Sequence, residues 1–446
     1  MSKEMYVCQS CQFESVKWYG QCSQCHEWNS FIDKKAFLQT QLNSSSPVVP
    51  VAELKGKVLE VIDTGCSEFN HVLGGGLVKG SLLLLTGTPG AGKSTLLITI
   101  SNKIADTFKT LYISGEETVE QVGMRARNLQ LRSKNLYITH ECVWESMIEK
   151  IKQVQPEFVV IDSIQTTRSK EIVAGAGSTK QVKELTLQIM NFMKERKMTC
   201  VIVGHITKGG DVAGPKQLEH MVDTVLSFKG HSEQNYRILE ASKNRFGPVG
   251  EAGFFTFRDQ ALVPLDKLDS HFISKFDQGF GMYCLQIKGR RSFPVELQSL
   301  LIKNTHVPKM ITSGLNKERL NILVGILQKF LGIKVHSVEM YLSTLRGLSI
   351  EEKESDLAII ATMYQAFTQR PLTRNFLLLG EVGLSGHIYP DKREIDPSFL
   401  QKDDLMVVVD KEKSLGYTKA RKNVIGISHV RELPDILFSC AHDTLI

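Results

Sequence analysis

The chain has 446 residues, of which 42% are hydrophobic and 23% are charged, the composition of a soluble globular protein. A chain of this length is too long to fold around one hydrophobic core, so we expect two or three domains. The sequence contains neither an apolar run that could span a membrane nor an apolar N-terminal signal segment, which predicts a cytoplasmic protein. The net charge of +6 is compatible with a polyanionic partner but does not identify one.

Two C-x-x-C pairs near the N-terminus predict a metal site. They are formed by Cys8, Cys11, Cys22 and Cys25. Four thiolates in a tetrahedron suit Zn²⁺, and because every position is sulfur, the predicted site is structural. A redox role is the alternative, but redox C-x-x-C motifs occur singly beside a βαβ unit, which this region lacks. We expect His26 to be a bystander, and Trp18 and Trp28 to pack over the site as its core.

The most informative stretch is GTPGAGKST, which fits the phosphate-loop pattern G-x-x-x-x-G-K-[ST]. The apolar run 81–86 before it predicts a buried strand, and 94–104 after it predicts a helix. Glycines let backbone N–H groups turn toward phosphates, and the helix N-terminus attracts their charge. We expect Lys93 to contact the β- and γ-phosphates of ATP and Ser94 to bind Mg²⁺. The predicted nucleotide-binding residues are Gly87, Thr88, Pro89, Gly90, Ala91, Gly92, Lys93, Ser94 and Thr95.

Three further predicted strands place polar residues at the edge of a parallel sheet where ligands bind. One leads into Glu116, which we expect to orient and deprotonate the water that attacks the γ-phosphorus, with Glu117 as the alternative. Another ends at Asp162, which we expect to hold Mg²⁺ through water. The third ends near His205, where a γ-phosphate sensor and a purely structural histidine are both compatible with the pattern.

Two segments after these strands, 165–181 and 207–217, combine glycine with basic residues. Loops of this kind on the ATP face suit contact with the backbone of single-stranded DNA. Because they lack aromatic residues for base stacking, the contact should not depend on sequence. Solvated basic loops without a partner are the alternative. The candidate DNA-binding residues are Arg168, Lys180, Lys208 and Lys216.

Over its whole length the chain resembles the bacterial RadA (Sms) family of recombination and repair proteins. The cysteine pairs, the phosphate loop and the later segments LYISGEE, VVIDSIQT and KNRFG occur in that family's order. The resemblance implies a RecA-like motor, related to ring helicases of the DnaB type, that forms hexamers and binds ATP between subunits. It also implies that Glu116 is the catalytic glutamate. Lys243 and Arg245 of KNRFG would serve the ATP site of a neighbouring subunit or couple it to DNA; a simple turn after a strand is the alternative.

From about residue 274 the chain resembles the Lon-protease-type domain that this family carries. Lon enzymes use a Ser–Lys pair, but here Glu354 lies nearest the nucleophile position, with Ser355 next to it, and Lys392 lies in a poorly matching segment where the lysine is expected. We therefore expect a non-proteolytic scaffold for ring assembly and DNA contact. The segment 288–291, Lys-Gly-Arg-Arg, is more basic than the family version, and we expect it either to extend a DNA-binding face or to be solvated.

The predicted fold class is α/β: a RecA-like P-loop ATPase core with a mainly parallel sheet, an N-terminal four-cysteine zinc ribbon or knuckle, and a C-terminal α+β domain of the Lon-protease type (ribosomal protein S5 domain 2 type). The predicted boundaries are 1–35 for the zinc knuckle, 36–58 for a flexible linker, 59–268 for the ATPase domain and 269–446 for the C-terminal domain.

The resulting hypothesis is a homo-hexameric, DNA-dependent ATPase that translocates on single-stranded DNA and promotes branch migration of recombination intermediates. It would use ATP, Mg²⁺ and Zn²⁺ and work with a RecA-type recombinase. The alternatives are an ATP-dependent Ser–Lys protease and a KaiC-like regulatory ATPase that assembles with nucleotide but ignores DNA. The KNRFG segment and the zinc knuckle favour the first hypothesis.

Overall fold

The computed structural model describes two compact units, one within 1–59 and one within 60–446. Most of the predicted linker and several other segments lie outside the described residues. The described residues are 5–8, 11, 13–33, 50, 59–175, 177–205, 218–230, 235–265, 267–274, 280–303, 309–335, 338–391, 394–402, 404–417 and 423–438.

The first unit is a small antiparallel sheet. Its strands are β1 (Tyr6–Cys8), β2 (Glu14–Ser15) and β3 (Phe31–Asp33), in the order β2–β1–β3. The buried core consists of Cys8, Cys22 and Phe31. The prediction that Trp18 and Trp28 form this core is wrong, because their side chains are 51% and 69% exposed. The cysteine sulfurs and Phe31 fill the small interior, and Trp18 is held at the surface by donating from Nε1 to the Phe31 carbonyl at 3.0 Å.

The second unit begins with a region, within 60–265, that is built on one large sheet. A short pair, β4 (Val61–Ile62) and β5 (Leu77–Val78), precedes the sheet. The strands of the sheet are β6 (Leu82–Gly87), β7 (Thr110–Ser114), β8 (Leu136–His140), β9 (Phe158–Asp162), β10 (Thr199–His205), β11 (Thr224–Lys229), β12 (Tyr236–Asn244), β13 (Ala252–Arg258) and β14 (Ala261–Pro264). Their order is β14–β13–β12–β11–β6–β10–β9–β7–β8, parallel from β11 to β8 and antiparallel from β11 to β14.

Helices cover both faces of this sheet. They are α1 (Ser67–Leu73), α2 (Lys93–Ile104), α3 (Val119–Asn128), α4 (Trp144–Val154) and α5 (Thr179–Glu195). Leu83 and Leu85 of β6 pack in the core formed with α2 and α3, whereas Leu82 and Leu84 pack in the core formed with α4 and α5. Because both faces of β6 are buried, its sequence is a continuous apolar run. The predicted mainly parallel α/β core is confirmed.

The C-terminal part of the second unit is a mixed seven-stranded sheet with helices. Its strands are β15 (Met282–Lys288), β16 (Arg291–Lys303), β17 (Lys309–Ser313), β18 (Val338–Thr344), β19 (Asn375–Leu378), β22 (Leu405–Asp410) and β23 (Val424–Ile427), with a separate pair, β20 (Glu381–Val382) and β21 (Ile388–Tyr389). The sheet order is β17–β18–β16–β15–β19–β22–β23. The helices are α6 (Leu268–His271), α7 (Lys317–Leu331), α8 (Asp356–Thr368), α9 (Pro397–Leu400), α10 (Lys411–Tyr417) and α11 (Leu433–Phe438).

The two sheets of the second unit share apolar contacts. Phe254 on β13 meets Phe293 on β16 edge to face, with ring centroids 5.3 Å apart, and Phe272 lies 5.4 Å from Phe293. All three rings are buried in one core that continues into the C-terminal sheet. Within the part of the chain that the structure describes, no helix has the length and apolar character needed to cross a membrane.

The basic segment 288–291 forms the hairpin end between β15 and β16, and it contacts the region of the nine-stranded sheet. Arg291 pairs with Glu68 at 2.6 Å, Arg290 with Glu251 at 3.4 Å, and Lys288 with Glu240 at 3.9 Å. Glu68 and Glu251 are buried. The expectation that this segment is simply solvated is wrong for Lys288 and Arg291, which are 23% and 30% exposed and pair with carboxylates of the neighbouring sheet and of helix α1. The Arg290 side chain is 80% exposed, and contact of this segment with DNA stays a prediction.

Candidate nucleotide and metal sites

Four sulfur atoms converge in the first unit. Cys8 and Cys25 Sγ lie 3.6 Å apart, Cys11 and Cys22 Sγ lie 3.5 Å apart, and all four atoms lie within 4.8 Å of one another. A disulfide would require about 2.05 Å, whereas a tetrahedron with Zn–S bonds of about 2.3 Å has edges of roughly 3.8 Å. The donor set therefore fits Zn²⁺, with sulfur at every position. The backbone N–H of His26 donates to the Cys22 carbonyl at 2.9 Å, which helps to shape the second turn.

The phosphate loop joins β6 to the N-terminus of α2, which begins at Lys93. Gly92 has a φ of +101°, and a Cβ atom there would lie 2.6 Å from Leu262 Cδ1 on β14, so the close packing requires glycine. The Ala91 carbonyl accepts a hydrogen bond from Arg237 Nε at 3.2 Å. The hairpin β13–β14 and the buried Arg237 thus support the loop on the side of Gly92 and Ala91.

Lys93 is buried at the base of the loop. Its Nζ donates to the carbonyls of Gly87 at 2.9 Å and Thr88 at 3.0 Å, and lies 3.2 Å from His205 Nδ1. Burial lowers the pKa of Lys93, while the carboxylates of Asp162 and Glu116 raise it and oppose the shift. A protonated Lys93 can only donate, so His205 Nδ1 accepts and Nε2 carries the proton.

Glu116 is held by two donors. Its Oε1 accepts from Ser163 Oγ at 2.6 Å and lies 2.9 Å from His205 Nε2. The hydrogen bond from His205, aided by that from Ser163, lowers the pKa of Glu116 to about 2, so this carboxylate is ionised at neutral pH. Glu117 instead pairs with Arg125 of α3. The structure thus brings Glu116, rather than the alternative Glu117, together with Asp162, His205 and Lys93.

Asp162 lies at the carboxyl end of β9 with one oxygen fixed and one free. Oδ2 accepts from the Tyr112 hydroxyl at 2.6 Å. Oδ1 is buried and has no hydrogen-bond partner among the described residues. Ser94 also lies within hydrogen-bonding reach of Tyr112. The buried Asp162 Oδ1 fits Mg²⁺, which prefers oxygen ligands and retains several of its waters, and Ser94, close to Tyr112, could add its hydroxyl.

A cavity of about 420 Å³ adjoins Thr95 at the outer side of the phosphate loop. Its volume lies in the range usual for small-ligand sites. The cavity could accept the nucleoside end of ATP, because it opens beside the loop that would hold the phosphates. It is lined by Thr95, Glu117, Gln121, Met124, Arg125, Asn128, Leu129 and Gln260.

The KNRFG segment lies at the opposite end of the sheet from the phosphate loop of its own chain. Asn244 pairs with Thr224, and Thr224 pairs with Leu83 near the start of β6. Gly87, at the phosphate loop, lies four residues further along β6, a separation of about 13 Å at ~3.3 Å per residue. Lys243 and Arg245 are therefore remote from the nucleotide site of their own chain.

The two basic side chains of this segment are held in place. Lys243 Nζ donates to the carbonyls of Glu219 at 2.5 Å and Val222 at 2.9 Å. Arg245 donates from Nη1 to Asp223 Oδ1 at 3.2 Å, and the second oxygen of Asp223 accepts from the Leu82 N–H at 3.0 Å. Asp223 thus ties the KNRFG segment to the first residue of the strand that leads into the phosphate loop.

The structure describes two of the four candidate DNA-binding residues, Arg168 and Lys180. The backbone of Arg168 bridges Cys142 and Trp144, with hydrogen bonds of 2.7 and 2.9 Å, and its side chain is exposed beside the start of α4. Lys180 lies in the first turn of α5, is 68% exposed and is 4.0 Å from Glu184. Lys208 and Lys216 lie outside the described residues, as does Lys392.

Ser355 lies inside the C-terminal domain. It is 1% exposed, and its Oγ accepts a hydrogen bond from Gln286 Nε2 at 3.4 Å. The nearby Lys353 points to the surface and pairs with Glu381 at 3.4 Å. A serine buried in this way does not present a nucleophile to a polypeptide substrate.

Sequence reasoning missed Tyr112, Ser163, Arg237 and Asp223. Tyr112 lies within the buried strand β7, where an aromatic side chain is usual and does not indicate a polar role. Arg237 and Asp223 are both buried although charged, and a charge within or directly before an apolar strand is the signal that could have identified them. Ser163 directly follows Asp162 in the sequence. Its contact with Glu116 could not be predicted, because it depends on β9 and β7 being neighbours in the sheet.

Known proteins resemble this chain along almost its entire length. The family described as an AAA domain matches residues 51–211, and the family described as a rubredoxin metal binding domain matches residues 6–33. A protein named DNA repair protein RadA from Aquifex aeolicus is 35% identical, covering 98% of this chain and 99% of that protein. Proteins of the same name are 34% identical in Bacillus subtilis, over 97% and 98% of the two chains, and 39% identical in Helicobacter pylori strain 26695, over 86% and 88%.

Replacing Cys22 by serine should remove zinc from the first unit, because the thiolate is lost from a closed four-sulfur site. We expect atomic absorption of the purified full chain to find one zinc ion per chain in the wild type and far less in Cys22→Ser. Cys142→Ser, which changes a partly buried cysteine of the ATPase core, is the control and should keep its zinc. Equal zinc in both variants would contradict the assignment.

Replacing Tyr112 by phenylalanine should weaken Mg²⁺ binding, because Asp162 loses the hydroxyl that orients it. Groups that orient metal ligands commonly change affinity by tenfold or more, so we expect the Mg²⁺ concentration for half-maximal binding of a fluorescent ADP analogue to rise about tenfold. Tyr283→Phe, which removes another buried tyrosine hydroxyl in the C-terminal domain, should leave this value unchanged. An unaltered Mg²⁺ dependence in Tyr112→Phe would refute the role of the hydroxyl.

Proposed function

Because this chain belongs to the RadA family of DNA repair proteins, we propose that it is a DNA-dependent ATPase that moves along single-stranded DNA and promotes branch migration of recombination intermediates. The observation that carries the proposal is the meeting of Lys93, Glu116 and Asp162 beside one phosphate loop. The ligand atoms of Glu116, Asp162 and His205 lie within 4.8 Å of one another. A cation, a water-orienting carboxylate and a metal-binding carboxylate are the groups that hydrolysis of a nucleoside triphosphate requires.

In this proposal the chain's own residues position the phosphates and the attacking water. Backbone N–H groups of the phosphate loop bind the β-phosphate, while Lys93 exchanges the carbonyls of Gly87 and Thr88 for phosphate oxygens. Asp162 and Ser94 hold Mg²⁺, which neutralises charge on the β- and γ-phosphates when bound. Glu116 accepts a hydrogen bond from the water that attacks the γ-phosphorus. Because the carboxylate is ionised, it can orient this water and receive its proton.

His205 gives this site a resting and an active arrangement. While Glu116 accepts hydrogen bonds from His205 and Ser163, its pKa of about 2 makes it a weak base. A γ-phosphate that attracts Lys93 would break the contact of Lys93 with His205, and the imidazole could then turn toward the phosphate. The pKa of Glu116 would rise once this donor leaves, so the carboxylate becomes a better base only when ATP is present.

We further propose a closed homo-hexamer in which each KNRFG segment acts on the ATP site of the next subunit. The segment lies about 13 Å from the phosphate loop of its own chain, so Lys243 and Arg245 cannot assist hydrolysis there. A head-to-tail contact places opposite ends of two sheets together, and such a contact forms a closed ring when its rotation closes. A cation from the neighbour would stabilise charge on the transferring phosphoryl group.

Arg168 and Lys180 support contact with the DNA backbone. Both are exposed on segments that follow the strands bearing the ATP site, so ATP-dependent movement of these segments would move a bound strand. Contact through basic side chains alone is independent of sequence and weakens as salt rises. We propose a RecA-type recombinase as the protein partner. The burial of Ser355 argues against the alternative of a Ser–Lys protease.

Steady-state hydrolysis of ATP tests this function. We expect a long single-stranded oligonucleotide to stimulate the wild-type rate strongly. Lys93→Ala should have no measurable turnover, because the cation at the γ-phosphate is lost. Glu116→Gln should reduce kcat about a thousandfold, a fall appropriate to the loss of a base and of charge, while it still binds nucleotide with near-normal affinity. Glu195→Gln is the matched control and should retain most of the rate, since Glu195 lies exposed at the end of α5 and pairs with Arg196 away from the site.

Two results would contradict the proposal. Normal hydrolysis by Lys93→Ala would show that the site lies elsewhere. Hydrolysis that single-stranded DNA does not alter, together with nucleotide-dependent assembly, would instead favour a regulatory ATPase that does not move on DNA.

A further inference from the structure

Two carboxylates of the ATPase core are buried where the C-terminal domain contacts it. Glu68, on α1, is 2% exposed, and both of its oxygens accept hydrogen bonds from Arg291 Nη1, at 2.8 and 2.6 Å. Its Oε2 also accepts from the Phe254 N–H on β13, at 2.8 Å. A buried carboxylate is stable only when it is paired and hydrogen-bonded, so Glu68 depends on Arg291.

Glu251, just before β13, is the second of these carboxylates. It lies 3.0 Å from His71 Nε2 on α1 and accepts from the Arg290 N–H at 3.1 Å. Arg290 Nε lies 3.4 Å from its other oxygen. Gly289, directly before Arg290, has a φ of +62°, and a Cβ there would lie 2.2 Å from Glu251 Oε2. The hairpin turn therefore fits closely against Glu251 and α1.

The other end of α1 contacts the KNRFG segment. The Leu73 carbonyl, at the last residue of α1, accepts a hydrogen bond from Asn244 Nδ2 at 3.0 Å. Glu251 is also joined to the strand that carries Lys243, because its carbonyl accepts from the Ala241 N–H at 3.2 Å. Two routes thus connect the turn 288–291 of the C-terminal domain with the KNRFG segment. One runs through helix α1, and the other runs through Glu251 and its hydrogen bond to Ala241.

We propose that Arg290 and Arg291 are positioning residues, which hold α1 and thereby the KNRFG segment in the orientation that the neighbouring ATP site requires. This inference rests on the proposed function of KNRFG between subunits. The arginines touch neither nucleotide nor the reacting atoms. Their loss leaves Glu68 and Glu251 without their cations, and α1 then moves toward water and releases the Leu73–Asn244 contact.

The experiment compares Arg291→Met with Arg319→Met in the full-length protein. The two variants are matched, since Arg291 and Arg319 are 30% and 26% exposed and pair with Glu68 and Asp356, which are 2% and 1% exposed. Only the first pair adjoins α1. We expect faster hydrogen–deuterium exchange over residues 243–250 in Arg291→Met than in Arg319→Met. We also expect kcat for DNA-stimulated hydrolysis to fall about tenfold in Arg291→Met alone, with KM for ATP changed less than about twofold.

The outcomes separate this inference from the function on which it rests. Equal exchange over 243–250 in the two variants would overturn the positioning role, whatever happens to the rate. Raised exchange in Arg291→Met with a normal kcat would also overturn it. If Lys243→Ala then hydrolyses ATP normally as well, the proposed action of KNRFG fails too; if Lys243→Ala is impaired, only the positioning role fails.

Discussion

The ATPase core depends on keeping one lysine ammonium charged in a buried place. Lys93 is 3% exposed, and burial alone would favour its neutral form. Two loop carbonyls, one imidazole nitrogen and the nearby carboxylates of Asp162 and Glu116 offset that cost. These groups come from the ends of β6, β7, β9 and β10. They surround the Lys93 ammonium because these four strands are neighbours in the sheet. Phosphates that enter the loop would replace the carbonyls as its partners.

The direction of the strands separates two functions within one chain. The carboxyl ends of the parallel strands carry the nucleotide site, and the beginning of β6 lies beside the KNRFG segment. Asp223 lies at the second of these ends, where one of its oxygens accepts from the Leu82 N–H at the start of β6 and the other from Arg245. A ring in which subunits meet head to tail would use both ends of every sheet. The contact of the C-terminal domain with α1 then places that domain where it can influence the interface.

Much of this arrangement could be predicted from the sequence. The phosphate loop, the paired cysteines and the apolar strand that ends at Asp162 each have a short pattern with a direct physical cause. The strand Phe158–Asp162 has the predicted bounds, and the helix after the loop begins at Lys93, one residue before the predicted start. Local patterns suffice for these elements because neighbouring residues alone determine them.

The rest depends on contacts between distant parts of the chain. The choice of Glu116 over Glu117 depends on His205 and Ser163, which adjoin it only because β7, β9 and β10 are neighbours. The exposed positions of Trp18 and Trp28 follow from how little volume remains beside four sulfurs. The pairing of the basic turn 288–291 could not be predicted, because its partners Glu68 and Glu251 lie in another part of the chain and carry no local sign of burial.

The most direct test of the central claim mixes two inactive chains. Lys93→Ala has a defective phosphate loop but an intact KNRFG segment, whereas Lys243→Ala has the reverse. If KNRFG serves the neighbouring site, mixed assemblies contain interfaces where an intact loop meets an intact segment, and DNA-stimulated hydrolysis should rise well above that of either variant alone. Hydrolysis by the mixture that equals the sum of the separate variants would contradict action between subunits.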